Sequence, residues 1–135
     1  MLSNSMPAPP EAAADAPHVL VVEDEFLIRM LVSDHLRDVG FVVIEAFNAD
    51  EAVAILNSGA RIDLIFTDVR MPGSIDGLGL LAYAQLGQPR IPVLVSSGHL
   101  EPETAYAGGA AGFLPKPFDL DVLVVAMRTA LAAAA

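Results

Sequence analysis

Several short apolar stretches of this 135-residue chain end in a residue that can carry a charge or donate a hydrogen bond. These residues are Glu23, Asp24, Asp68, Ser97 and Lys116. One such placement is common in any protein, whereas its repetition along the chain favours a single shared site.

The three acidic residues of this set point to a cation. If Glu23, Asp24 and Asp68 lie side by side, each carboxylate raises the pKa of the others and destabilises the fold unless a positive charge joins them. A set of oxygen ligands suits a hard divalent ion, and Mg²⁺ is the common choice. The simpler alternative, for any one of the three taken singly, is an ordinary acidic residue in a solvated loop.

The basic residue of the set is the only lysine in the chain, Lys116, and prolines flank it on both sides. A fixed ammonium group near the carboxylates could hold a phosphoryl oxygen, and the hydroxyl of Ser97 could donate to the same group. The simpler alternatives are a surface lysine and a turn serine.

The elements that must position these residues follow from the spacing of the apolar residues. The pattern predicts five strands that alternate with five helices. The strands are predicted at 18–22, 41–46, 62–67, 91–95 and 112–114, and the last helix begins after Asp119. Because the central strands are continuously apolar, they indicate a parallel sheet with helices on both faces. Ligands of such sheets bind beyond the carboxyl ends of the strands.

Composition narrows the class of protein. Seven basic and seventeen acidic residues give a net charge of −10, which argues against nucleic acid and anionic membrane surfaces as partners. The absence of cysteine excludes disulfides and zinc–thiolate sites. No apolar run approaches the roughly 20 residues of a spanning helix, and no signal peptide is recognisable, so we expect a cytoplasmic protein. Residues 1–17 are predicted to form a flexible tail and residues 18–135 one domain.

Four segments taken together resemble the receiver domain of two-component response regulators. They are VLVVEDE (19–25), IFTDVRMPG (65–73), PVLVSSG (92–98) and FLPKPF (113–118). The similarity extends over residues 18–131. It implies an α/β fold of the flavodoxin-like (βα)5 type, which is a doubly wound parallel sheet with strand order 2-1-3-4-5.

The resemblance also implies a chemistry. Asp68 would be the phosphoacceptor and would take a phosphoryl group from a histidine kinase or a histidine phosphotransfer protein. Glu23, Asp24 and Asp68 would bind Mg²⁺, together with the backbone carbonyl of Arg70.

Three further residues acquire roles from the same resemblance. Lys116 would contact the acyl phosphate, and the Lys116–Pro117 peptide bond would be cis. Ser97 and Phe113 would form a switch pair, in which Ser97 moves towards the phosphoryl group and Phe113 turns into the space that it leaves. The added charge would thereby repack the face formed by the fourth helix, fifth strand and fifth helix.

Two segments depart from the usual pattern of the family. The loop at 71–77 is one residue longer, which leaves its path beside the metal open. The chain between Gly98 and Gly112 is short and rich in glycine and alanine, so we expect a short fourth helix, either ordered or partly melted. Arg70 and His99 lie two residues beyond Asp68 and Ser97, and we hypothesise that they tune the lifetime of the phosphorylated state.

The first helix is apolar almost all round. Phe26, Leu27 and Met30 lie off its core-facing stripe, which favours a partner surface. In this family the first helix contacts the kinase. Alternatively, Phe26 or Leu27 folds back over the edge of the sheet.

The sequence therefore predicts a stand-alone receiver that works through protein–protein contact with a target yet to be named. It could relay phosphate, act as a phosphate sink or regulate that target. One alternative is a Mg²⁺-dependent phosphohydrolase, although Arg70 stands where such enzymes commonly place a second aspartate. The other is an adaptor that works without phosphorylation.

Overall fold

The computed structural model describes residues 15–134, in which five strands alternate with five helices. The strands are β1 (His18–Val22), β2 (Val42–Ala46), β3 (Leu64–Asp68), β4 (Val93–Ser97) and β5 (Gly112–Pro115). The helices are α1 (Phe26–Asp38), α2 (Ala49–Asn57), α3 (Gly77–Gln85), α4 (Pro102–Ala107) and α5 (Leu120–Ala134). Most of the predicted tail, residues 1–14, lies outside the described residues. Its last part is in contact with the fold, because Ala16 is buried and the carbonyl of Pro17 accepts from the N–H of Val42.

All five strands are parallel and lie in the order β2-β1-β3-β4-β5. The predicted fold class and strand order are confirmed. Strand β1 lies between β2 and β3, so the carboxyl ends of β1 and β3 are neighbours. Any side chains that follow these two strands are brought to one edge of the sheet.

Alternate residues of the central strands enter two separate cores. In β1, Val19 and Val21 pack in the core that contains residues of α1 and α5. Leu20 and Val22 pack on the opposite face, with residues of α2, α3 and α4. Because side chains alternate across a strand, helices on both faces require apolar residues at every position. The continuous apolar runs read from the sequence have this cause.

The start of α2 shows how local sequence sets an element. The Oδ1 atom of Asn48 accepts from the N–H of Glu51 at 2.8 Å. In return, a carboxylate oxygen of Glu51 accepts from the N–H of Phe47 at 2.8 Å. This reciprocal pair satisfies two backbone donors at the start of the helix, in the manner of a capping box whose second bond lies one residue earlier.

Some boundaries differ from those predicted. Strands β3 and β4 begin at Leu64 and Val93, two residues later than the apolar runs suggest. Ile62 is buried and Ile91 half-buried before the ladder begins, and hydrophobicity alone does not distinguish a buried loop residue from a strand residue. Helix α4 has six residues, which confirms a short fourth helix.

Candidate functional site

The three predicted acidic residues meet at the carboxyl edge of the sheet. Glu23 and Asp24 follow β1, and Asp68 is the last residue of β3. Carboxylate oxygens from all three lie within 4.8 Å of one another. Glu23 is buried, Asp24 is exposed and Asp68 lies between these extremes. The cluster is therefore partly buried and partly open to solvent.

Lys116 reaches this cluster from the end of β5. Its Nζ atom lies 3.0 Å from Oδ2 of Asp68 and 3.4 Å from Oε1 of Glu23. Partial burial lowers the pKa of Lys116, but the contacts with Asp68 and Glu23 outweigh it, so that the pKa is raised overall. The ammonium group thus stays charged at neutral pH. The Lys116–Pro117 peptide bond is cis, as predicted.

The carboxyl group of Glu23 is held in an unfavourable environment. Burial raises the pKa of Glu23, and the nearby charge of Asp68 adds to this effect. The N–H of Glu25, which donates to Oε2 at 3.0 Å, and the charge of Lys116 act in the opposite direction. The net result is a raised pKa, because a buried carboxylate loses more hydration than these partners return.

Asp68 is fixed by the backbone that follows it. Its Oδ1 atom accepts from the N–H of Val69 at 2.8 Å, which leaves Oδ2 directed towards Lys116. The backbone here packs closely against the start of α3. A Cβ atom on Gly77 would lie 2.1 Å from the carbonyl oxygen of Asp68, so only glycine fits at this position.

The predicted switch residues lie on neighbouring strands. Ser97 ends β4 and is buried, and its Oγ atom accepts from the N–H groups of His99 and Leu100 at 3.1 and 3.0 Å. Phe113 in β5 is half-buried and pairs in register with Val95. Because residues two apart in a strand face the same way, Phe113 lies on the sheet face of Val95 and Ser97.

The longer loop after β3 runs over the start of α2. Ser74 donates to the carboxylate of Asp50 through its N–H at 2.8 Å and also through its hydroxyl. Both bonds lower the pKa of Asp50, and the bond from the hydroxyl has the larger effect. Arg70, whose carbonyl is the predicted fourth metal ligand, is exposed at the start of this loop.

Several positioning residues were not recognised from the sequence. Nothing in the sequence indicates the contact between Asp50 and Ser74, since aspartate is common at the start of a helix and serine is common in loops. Gly77 carried a weak signal, because it directly follows Asp76, a good N-cap residue. Arg29 was overlooked inside the apolar pattern of α1.

The predicted apolar surface of α1 is exposed. The side chains of Phe26, Leu27 and Met30 are 63, 65 and 36% exposed, and Leu31 beside them is 59% exposed. The alternative, in which Phe26 or Leu27 folds back over the sheet, is therefore wrong. A groove of about 430 Å³ lies beside these residues, between α1 and the loop that follows β5. It is lined by Ile28, Leu31, Val32, Lys116, Pro117, Phe118 and Leu120.

The donor set of the acidic cluster fits a hard divalent cation. Three carboxylates within 4.8 Å carry more negative charge than the single ammonium group of Lys116 offsets. All of the donor atoms are oxygens, which Mg²⁺ prefers over nitrogen or sulfur donors. The residues present could therefore hold Mg²⁺.

Comparison with known proteins identifies the family and the fold. Residues 19–128 match the family model of the response regulator receiver domain. The chain belongs to this family. Receiver domains are phosphoacceptor signalling domains of two-component systems that bind Mg²⁺ at an acidic pocket and interact with histidine kinases.

Individual relatives agree with this assignment. The receiver domain is 42% identical over 117 residues to the nitrogen assimilation regulatory protein NtrX of Azorhizobium caulinodans, a match that covers 84% of this chain and 26% of the relative. It is 35% identical over 116 residues to the DNA-binding transcriptional regulator NtrC of Salmonella typhimurium, covering 84% and 24%. The chain thus spans about a quarter of the length of these relatives.

Solved structures show the same fold. The chemotaxis response regulator CheY4 of Vibrio cholerae superposes with a TM-score of 0.76 at 32% identity, over 85% of this chain and 98% of that one. NtrX from Brucella abortus, solved in complex with ADP, gives 0.78 at 39% identity, over 87% and 27%. Among the helices of residues 15–134, none is both long and apolar enough to cross a membrane.

Proposed function

We propose that Asp68 of this receiver domain accepts a phosphoryl group from a histidine kinase or a histidine phosphotransfer protein in a Mg²⁺-dependent reaction. One observation carries the proposal: an aspartate at the end of β3 lies 3.0 Å from the only lysine of the chain and shares an edge with two further carboxylates. Glu23, Asp24, Asp68 and the carbonyl of Arg70 would hold the ion.

The reaction follows from charge. A carboxylate oxygen of Asp68 forms a bond to phosphorus while the phosphorus–nitrogen bond of the phosphohistidine breaks and its electron pair returns to the imidazole. Anion repels anion in this step, and Lys116 lowers that repulsion because its ammonium group already lies beside Asp68. When held by the carboxylates of the cluster, Mg²⁺ would add further positive charge that offsets the same repulsion.

The response to phosphorylation is assigned to Ser97 and Phe113. The hydroxyl of Ser97 accepts two N–H bonds and so keeps its own proton for donation to a phosphoryl oxygen. Phe113 lies on the same sheet face and is only partly buried, so a turn into the space left by Ser97 would bury more of its ring. The exposed apolar residues of the α4–β5–α5 face, Tyr106, Val122 and Val125, support a partner contact there.

The phosphodonor is assigned to the groove beside α1. Its walls include Lys116 and Phe118, so a helix seated in the groove lies close to Asp68. The exposed side chains of Phe26, Leu27 and Leu31 extend the apolar surface.

The two alternative functions gain nothing from the geometry. A phosphohydrolase commonly needs a general acid two residues beyond the nucleophile, and that position is Arg70, whose side chain is exposed. An adaptor that works without phosphorylation has no use for the contacts of Lys116 with Asp68 and Glu23.

The proposal is tested by phosphorylation with acetyl phosphate and Mg²⁺, followed on a phosphate-affinity gel. The wild-type chain is expected to be modified, whereas Asp68→Asn is expected to stay unmodified. Asp38→Asn is a matched control, because it makes the same chemical change at an exposed aspartate at the end of α1. Modification that persists in Asp68→Asn, or no modification of the wild-type chain, overturns the proposal.

A further inference from the structure

The peptide group that joins Glu23 to Asp24 is held by a side chain of α1. The Nη1 atom of Arg29 donates to the carbonyl oxygen of Glu23 at 2.8 Å. In the preceding peptide group, the N–H of Glu23 donates to the carbonyl of Ala46 at 3.1 Å, so the backbone is held on both sides of the Glu23 Cα atom. Since Glu23 and Asp24 are the two acidic residues after β1, the orientation of this peptide sets the direction of the Asp24 side chain.

Arg29 is itself held in one orientation. Its Nε atom donates to Oε1 of Glu45 in β2 at 3.2 Å, and its side chain is 16% exposed. The guanidinium carbon also lies 5.6 Å from the centre of the Phe26 ring. Two nitrogens of one planar group thus bridge β2 and the end of β1, a geometry that the single nitrogen of lysine cannot reproduce.

Glu45 receives a second arginine of the same helix. The Nη2 atom of Arg37 lies 3.1 Å from Oε2 of Glu45 and also donates to the carbonyl of Val43 at 3.1 Å. The two arginines therefore bind the same carboxylate and one backbone carbonyl each. They differ in the carbonyl that they bind. Arg37 binds that of Val43 in β2, whereas Arg29 binds that of Glu23 in the acidic cluster.

We infer that Arg29 is a positioning residue for Mg²⁺ binding, which it supports by fixing the peptide between Glu23 and Asp24. This inference rests on the proposed function, because it concerns the same metal site. Groups that orient metal ligands, without binding the metal themselves, typically change metal affinity 10- to 100-fold when removed. In this protein the orienting group is Arg29, which binds the backbone carbonyl between the proposed ligands Glu23 and Asp24.

The test measures Mg²⁺ affinity by titration of the metal-free chain, followed through the amide chemical shifts of Asp24 and Val69. Arg29→Gln is expected to weaken Mg²⁺ binding roughly tenfold. Arg37→Gln removes a comparable link between α1 and β2, so it is expected to lower the melting temperature similarly while leaving the Mg²⁺ affinity within about twofold. Arg29→Lys keeps the charge but loses the two-nitrogen geometry, so its affinity should fall between wild type and Arg29→Gln.

A second readout separates positioning from general damage. At saturating Mg²⁺, Arg29→Gln should be phosphorylated by acetyl phosphate at nearly the wild-type rate, and the defect should appear only at low Mg²⁺. An unchanged affinity in Arg29→Gln, or an equal loss in Arg37→Gln, overturns the inference while the proposed function stands. If the wild-type chain binds no Mg²⁺, the proposed function fails and the inference fails with it.

Discussion

Lys116 acts as the resident cation of the acidic cluster. The chain has no other lysine, and this one lies within 3.4 Å of both Glu23 and Asp68. A metal-free cluster would otherwise hold three carboxylates with no positive side chain among them. The same ammonium group therefore stabilises the metal-free fold and, in the proposed reaction, would lower the repulsion between Asp68 and an anionic donor.

We expect Lys116→Met to lower the stability of the metal-free protein at pH 7 by about 1–3 kcal/mol, the usual cost of leaving a buried polar group without its partner. Added Mg²⁺ should restore more stability to the variant than to the wild-type chain. Thermal unfolding followed by circular dichroism, with EDTA and with Mg²⁺, measures both effects. An equal response of the two proteins to Mg²⁺ contradicts this role.

The pH dependence of the Lys116 contribution has a defined sign. Because the folded-state pKa is raised above the ordinary value of 10.5, the contribution is complete below that pH and is lost as the pH rises through the folded-state pKa. On the alkaline side, the stability difference between wild type and Lys116→Met should therefore persist until strongly alkaline pH.

The buried carboxyl group of Glu23 is expected to reduce the stability of the metal-free protein at neutral pH. Its pKa is raised above the ordinary 4.5, chiefly by burial, so the ionised form is less favourable in the folded than in the unfolded chain. Glu23→Gln should raise the melting temperature of the metal-free protein at pH 7 and weaken Mg²⁺ binding. This rise in melting temperature should vanish below pH 4.5, where Glu23 is protonated in both the folded and the unfolded chain. A lower melting temperature at pH 7 would show that the contacts of the ionised form outweigh its burial.

Sequence alone identifies these acids and the lysine but not the groups that orient them. Glu23, Asp68 and Lys116 are recognisable because each follows an apolar run, and parallel strands bring such positions to one edge. Arg29 is recognisable only from its side-chain conformation, since its partner is a backbone carbonyl that carries no residue identity.

At the scale of elements, the loop between β3 and α3 is tied to α2 through Asp50. Ser74 supplies both donors, and Gly73 makes the approach possible. Its φ of 123° favours glycine, and an added Cβ would lie 2.4 Å from Oδ2 of Asp50. The sequence showed that this loop is one residue longer than usual but left its path open. The contact with Asp50 gives that path, over the start of α2.

The Asp50 contact gives a prediction in acid. Hydrogen bonds from Ser74, the hydroxyl first and then the N–H, lower the pKa of Asp50 below the ordinary 3.8. The contact is therefore complete above that pH and is lost as the pH falls through the folded-state pKa. The Ser74 amide signal in NMR should titrate with a midpoint below 3.8. In Ser74→Ala, which keeps the N–H, the midpoint of the same amide at position 74 should move part of the way back; an unchanged midpoint contradicts the assignment.

Helix α4 is expected to be the least protected helix of the described chain. It has six residues, only one of which, Ala105, is buried, whereas α5 has fifteen residues and buries Leu123, Met127 and Ala130. Hydrogen exchange at pH 7 should be at least roughly tenfold faster for α4 amides than for amides in the middle of α5. Equal protection would mean that α4 unfolds only with the whole domain.

At the scale of the whole molecule, topology was less accessible from the residues than element type. The alternation of apolar runs indicates a parallel sheet, but the order 2-1-3-4-5 came from the family resemblance. An apolar run indicates that a segment is a strand, but it carries no information on which strand lies beside it. The packing of Val19 and Leu20 into opposite cores explains why the runs are uniform, and uniform runs carry no register information.

The two cores also separate two possible routes for the signal. Phe113 packs with the core that contains residues of α2, α3 and α4, whereas Phe118 packs with the opposite core and meets the ring of Phe66 edge-on at 5.6 Å. Both phenylalanines are half-buried and lie close to Lys116 in sequence. A switch made of Ser97 and Phe113 should therefore act on α4, and removal of Phe118 should not interrupt it.

Beryllofluoride, a mimic of the phosphoryl group, tests this route. In the wild-type chain its addition with Mg²⁺ should shift the amide signals of both the acidic edge and α4. In Phe113→Ala the shifts at Asp68 and Val69 should persist, while those of α4 should fall to roughly half or less, because the side chain proposed to couple the two is gone. Phe118→Ala is the matched control and should keep the α4 response. If both variants retain it, the coupling runs through the backbone of the β4–α4 loop, which Ser97 holds through its bonds to His99 and Leu100.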